Sequence, residues 1–211
     1  MFRKHWVSNI QKSWVFKNDY KEMPYRINKS FKNSYYHVYN RGNNYEDIFF
    51  EERNYSFFLS KTAWIFKNDI DLICYCLMPN HYHLIVKTND NYVLEKAMQR
   101  ISNSYTKAVN KSLNRVGHLF QGRYKSKHIL DNNYLVHLSR YIHLNPIRKN
   151  LVKKPEEWEF SSYMDYVSLR NNDSLKMNIV REQFKTIGDY IQFIKDYRED
   201  QFCYIKDLLF R

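Results

Sequence analysis

Ile70-Asp71-Leu72-Ile73-Cys74-Tyr75-Cys76-Leu77-Met78-Pro79-Asn80-His81-Tyr82-His83-Leu84-Ile85-Val86-Lys87 is the stretch on which the reading of the fold turns. Residues 70 to 78 are almost continuously apolar, as in a strand covered on both faces. Pro79-Asn80 supplies the central residues of a tight turn, and residues 81 to 87 return as a second strand beside the first. Side chains alternate across a strand, so His81 and His83 share a face, roughly 6.5 to 7 Å apart along the backbone. Cys74 and Cys76 also share a face; with no second cysteine pair they read as core residues rather than metal ligands.

Upstream, Tyr35-Tyr36-His37-Val38-Tyr39 is aromatic and β-branched and runs into the turn cluster Asn40 to Asn44, which predicts a first strand. Tyr55, Phe58, Leu59, Thr62 and Phe66 recur at helical spacing and predict an amphipathic helix over roughly 51–67. Downstream, Leu94, Ala97, Met98, Ile101, Tyr105 and Ala108 predict a long helix ending near Ser112. Tyr124 to Leu130 reads as a fourth strand. Asp131 then caps a helix carrying Leu135, Leu138 and Ile142, which Pro146 ends or kinks. The order strand, helix, strand, strand, helix, strand is that of an α+β fold: a ferredoxin-like split βαβ antiparallel sheet with helices on one face, followed here by an extra helix. Ile187, Tyr190, Ile191, Ile194 and Tyr197 predict a terminal helix.

The 211 residues hold 34 Lys and Arg against 22 Asp and Glu, a net charge of +12 with neutral histidines, which favours a polyanionic partner. With 44% hydrophobic and 18% aromatic residues and only 4 Gly and 4 Pro, the chain is neither disordered nor linker-like. Its three cysteines, Cys74, Cys76 and Cys203, cannot form a complete disulfide set and point to a reducing compartment. The first thirty residues are basic without an apolar segment of a secretory signal, and the longest apolar run, Leu72 to Met78, is too short to cross a bilayer. The expectation is a cytoplasmic protein with no membrane partner.

Two imidazoles on one strand face can converge on a metal ion, although the same spacing serves ordinary hairpin histidines. Tyr141 and Asn145 lie four residues apart on the helix after the fourth strand, so both project from one side. A tyrosine there is also a common core-edge residue, and an asparagine before proline a common helix-end residue. Basic residues interleave with aromatics from Arg115 to Lys127, the pattern of a surface whose cations track a phosphate backbone while rings stack on unpaired bases. Within it His118, Gln121, Arg123 and Lys125 are candidate DNA contacts, with Arg41, Arg100, Arg140 and Arg148 as further phosphate contacts. A solvated loop has the same composition.

Tyr36-His37-Val38-Tyr39-Asn40-Arg41-Gly42-Asn43, Met78-Pro79-Asn80-His81-Tyr82-His83-Leu84, Gly117-His118-Leu119-Phe120-Gln121-Gly122-Arg123-Tyr124-Lys125 and Tyr141-Ile142-His143-Leu144-Asn145-Pro146 occur in the order and spacing of a known family. Together they resemble the REP-associated tyrosine transposases, single-tyrosine HUH enzymes related to the small single-strand insertion-sequence transposases. The similarity spans roughly Tyr35 to Tyr163, including Trp158-Glu159-Phe160-Ser161-Ser162-Tyr163. It implies an HUH catalytic domain over 31–165, between a basic N-terminal extension (1–30) and a C-terminal helical extension (166–211).

The resemblance further implies that His81 and His83 form the metal pair, that Asn145 completes the protein ligands and that Tyr141 is the nucleophile. The ion implied is Mg2+ or Mn2+, although imidazole also suits other transition metals. The implied reaction is transesterification on single-stranded or hairpin DNA through a 5′-phosphotyrosine link, by a monomer or homodimer. The sequence marks no general base; His143 points to another side of the helix than Tyr141. Two other readings share these residues: an inactive or domesticated protein that only binds structured nucleic acid, and a replication initiator or relaxase-like nickase.

Overall fold

A computed structural model describes residues 29–91 and 93–197; all but the last two residues of the expected N-terminal extension, Cys203 and the last residues of the expected C-terminal extension lie outside the described residues. Strands β1 (Ser34–Arg41), β2 (Ile70–Met78), β3 (His81–Thr88) and β4 (Lys125–Ile129) form one antiparallel sheet in the order β2-β3-β1-β4. This is the split βαβ order expected from the sequence. Helices α1 (Glu52–Phe66) and α2 (Val93–Ser112) cover one face, where Phe58, Ile101 and Tyr105 pack against Val38, Tyr82 and Leu84. Burying each such side chain contributes about 1.5–3 kcal/mol. Val109 takes the buried place in the last turns of α2 that the periodicity gave to Ala108.

The extra helix, α3 (Asn132–Arg148), lies on the opposite face of the sheet, packed on Ile73, Cys74, Cys76 and Ile85. Among the described residues three short α-helices follow it, α4 (Tyr163–Tyr166), α5 (Asn178–Arg181) and α6 (Ile187–Lys195). Val180, Tyr190 and Ile194 join the same core as α3, so the described part of the C-terminal extension is continuous with the sheet's second face. Asp131 caps α3 by accepting from the Asn133 and Tyr134 amides, and a reciprocal Thr186–Asp189 capping box starts α6.

Two local features position the cleft. A bulge between Leu72 and Cys74 puts Ile73 and Cys74 on the same side, after which alternation carries Cys74, Cys76 and Met78 toward α3. Pro146 neither ends α3 nor stops it short: the helix runs on to Arg148. The proline falls within the final turn, where its one missing N–H removes little from a helix already held by burial. Residues 158–162 run along β2, with Leu77 N–H donating to Phe160 O (2.8 Å) and Ser162 N–H to Tyr75 O (3.0 Å), so the apolar edge of the sheet is covered.

Candidate active site

β1 and β3 are neighbours, and β3 begins at the tight turn, so His81 and His83 emerge where the end of β1 meets the last turns of α3. Tyr141 stands edge-on to His83 with ring centroids 5.7 Å apart, and the His81 and His83 rings are 5.1 Å apart and nearly perpendicular. These three side chains and Asn145 line one cleft of about 970 Å³. The helix alignment that brings Tyr141 and Asn145 forward comes from the far side of α3. There His143 is fully buried, with Nδ1 2.7 Å from the Tyr190 hydroxyl and Nε2 2.8 Å from Ser162 Oγ and 3.3 Å from Cys74 Sγ. His143 therefore clamps the helix to β2 and α6 and does not face the phenol.

Both imidazoles are held neutral. His81 Nδ1–H donates to Asn80 Oδ1 (2.6 Å), which leaves its Nε2 lone pair free. Burial, reinforced by the charges of Lys149 and Arg41, pushes its pKa down to about 4. His83 is held well below the ordinary histidine range by burial first and then by His81 and His37. Its Nδ1 meets His37 Nε2 at 3.0 Å. Among the described residues neither Nε2 makes a hydrogen bond.

No three His, Cys, Asp or Glu side chains gather as a metal-holding group among the described residues. The expected set is smaller, two imidazoles and an amide oxygen, and the two Nε2 atoms without a hydrogen bond suit a divalent cation that would draw its other ligands from phosphate or water. His37, within the first family-like motif, carries no role that the sequence pattern alone assigns. It is fully buried on β1, between Tyr39 at 4.8 Å and His83 at 5.1 Å in ring-centroid distance. For His83 Nε2 to present a lone pair, Nδ1 must carry the proton and donate to His37 Nε2, which can accept it and orient the ring.

Burial raises the pKa of the Tyr141 phenol, while the Arg148 charge and polar contacts from Asn145 and Arg148 oppose the rise. The Arg148 guanidinium carbon lies 5.2 Å from the Tyr141 ring centroid. Arg41, Gln121, Arg123 and Lys125 reach the same cleft, and Asp47 is the single carboxylate among the described lining residues. The loop carrying Gln121 and Arg123 is pinned to the end of β1: Gln121 N–H donates to Arg41 O (3.0 Å), Asn40 Nδ2 to Gly122 O (3.0 Å), and Arg41 Nε to Gln121 Oε1. Gly42 permits this corner, since a Cβ there would sit 1.9 Å from the Glu46 carbonyl oxygen.

Three expected DNA contacts lie elsewhere. Arg140 is 3% exposed, donates to Phe193 O (3.1 Å) and sits 4.2 Å over the Phe193 ring, so it ties α3 to α6 rather than facing DNA. His118 is exposed on the loop but does not line the cleft. Arg100 is on α2, on the opposite layer. Among the described residues no helix is long and apolar enough to cross a membrane.

A family model described as "Transposase IS200 like" matches residues 30–145, over half of the chain. No curated protein matches the sequence. Among solved structures, "Structure of the REP associates tyrosine transposase bound to a REP hairpin" is similar in fold, with a TM-score of 0.58 and 18% identity over 69% of this chain and 86% of that one.

Proposed function

Because the chain belongs to the IS200-like transposases, we propose that its cleft cuts and rejoins DNA by transesterification, with Tyr141 as the nucleophile. The observation that carries this reading is the meeting of Tyr141, His81, His83 and Asn145 in one cleft that Arg41, Arg123, Lys125 and Arg148 also line. In the attack the Tyr141 oxygen bonds to phosphorus and the bond to the 3′ oxygen breaks, leaving a 5′-phosphotyrosine and a free 3′-hydroxyl. The phenolic proton leaves to cleft water, and the departing 3′ oxygen takes up one. Arg148, beside the phenol, favours the phenolate. Arg123 and Lys125 place the backbone phosphates, and α3 holds the phenol in line. A divalent ion, Mg2+ or Mn2+, held by His81, His83 and Asn145 would supply Lewis-acid polarisation of the scissile phosphate.

The solved neighbour is bound to a REP hairpin, and a hairpin with single-stranded flanks is the substrate class we assign here. The test is incubation of the full chain with labelled hairpin DNA and Mn2+, followed by denaturing electrophoresis. A covalent adduct is expected from the wild type and none from Tyr141→Phe, with hairpin affinity unchanged within about twofold, since cations dominate binding. An adduct from the Phe variant would overturn the assignment of the nucleophile. Tight binding without any adduct from the wild type would overturn catalysis and leave a DNA-binding protein.

A further inference from the structure

The outer surface of the α1 and α2 layer carries a second aromatic and basic feature. Trp64, on α1, is 54% exposed. Three cations surround its ring: Lys61 Nζ at 5.1 Å, Arg100 Cζ at 5.3 Å and Lys67 Nζ at 5.9 Å from the centroid. Beside it lies a groove of about 430 Å³ lined by Lys61, Trp64, Arg100, Asn103, Ser104 and Lys107. Among the described residues none of these cations pairs with a carboxylate. α1 and α2 contain two acids, Glu52 and Glu95, and the carboxylate of Glu95 is occupied by the backbone N–H and hydroxyl of Ser30.

Clustered positive charge repels itself until a polyanion covers it, and a large exposed ring flanked by such charge suits a polyanion that also carries flat faces. Unpaired nucleotides meet both demands: bases stack on the indole while phosphates meet the cations. Asn103 and Ser104 add hydrogen-bonding groups that a single-strand backbone or an unpaired base edge can use. We propose that this α1–α2 groove binds single-stranded DNA, with a base stacked on Trp64 and phosphates held by Lys61, Arg100 and Lys107.

The groove is separate from the cleft. β2 begins beside the end of α1, and its Met78 end reaches the cleft about 25 Å away along the strand. Trp64 also lies on the helix layer opposite α3. A strand occupying the groove is therefore a segment flanking the reacting phosphodiester, and its binding goes beyond the proposed cleavage without depending on it.

The test is fluorescence anisotropy of labelled oligothymidine with the full chain, at fixed salt. Trp64→Ala is expected to weaken binding about 5- to 150-fold, the loss of one base stack, and Trp64→Phe to restore most of it. The loss is expected to persist in an Arg123→Ala/Lys125→Ala background, which separates the groove from the cleft, and to be absent with a duplex of equal length. Binding by Trp64→Ala within twofold of the wild type overturns the proposal. So does an equal loss with duplex. Trp64-dependent capture of polyglutamate, with no preference for oligothymidine, overturns it in favour of an acidic protein partner.

Discussion

His37→Leu isolates the buried histidine pair. His83 makes one side-chain hydrogen bond among the described residues, its Nδ1 to His37 Nε2 at 3.0 Å, and the two rings are stacked with a 20° interplanar angle. Leucine removes that bond and with it the preference for the tautomer whose Nε2 is a free lone pair. Loss of such a supporting partner lowers metal affinity about 10- to 100-fold, equivalent to roughly 1.4–2.8 kcal/mol. The fold is affected less. Leaving His83 Nδ1 unpaired costs about 1–3 kcal/mol, partly offset because His37 Nδ1, already buried without a partner, disappears too. Mn2+ titration by calorimetry on the folded variant, with a thermal melt as control, reads both effects. The expected result is a 10- to 100-fold weaker Mn2+ affinity, a melting temperature within a few degrees of the wild type, and hairpin cleavage recovered by excess Mn2+. Unchanged Mn2+ affinity would refute the orienting role of His37.

Two further substitutions probe the scaffold and the DNA path. Arg170→Ala leaves the fully buried Asp165 carboxylate without the guanidinium now 2.6 Å away, and also removes hydrogen bonds to Tyr75 Oη, Ser161 O and Glu159 O. With the arginine side chain itself 30% exposed, the cost is about 2–4 kcal/mol, a fall in melting temperature of roughly 5–15 °C; a fall under about 2 °C would contradict it. Arg123→Ala removes one cleft cation and should lower the salt dependence of hairpin binding by roughly one unit of slope with a uniform loss across sequences. An unchanged slope would place Arg123 outside the phosphate path.

Much of this arrangement is legible in the sequence because its strongest patterns coincide with its central elements. The uninterrupted apolar run of β2 and the stripes of α1 and α2 report burial directly, and strand alternation puts His81 and His83 on one face. Tyr141 and Asn145 share a side of α3 because helical spacing says so; that this side meets β3 depends on the sheet order and on the clamp at His143. His37 is not legible as a site residue from sequence, because a histidine among tyrosines reads as one more strand residue. The pairing of Tyr39 with His83 is what sets His37 diagonally beside His83. Once that register is known, a histidine two residues from Tyr39 is the signal to look for. Arg140 shows the opposite failure: charge alone suggested DNA, while burial against Phe193 makes it structural. Pro146 was a local stop signal overridden by packing.

Mass-spectrometric peptide mapping of the protein–DNA adduct formed on hairpin DNA addresses the chemistry at its source. The expected product is a nucleotide joined through its 5′-phosphate to the peptide containing Tyr141, at the phenolic oxygen. A linkage on any other side chain, or through a 3′-phosphate, would contradict it.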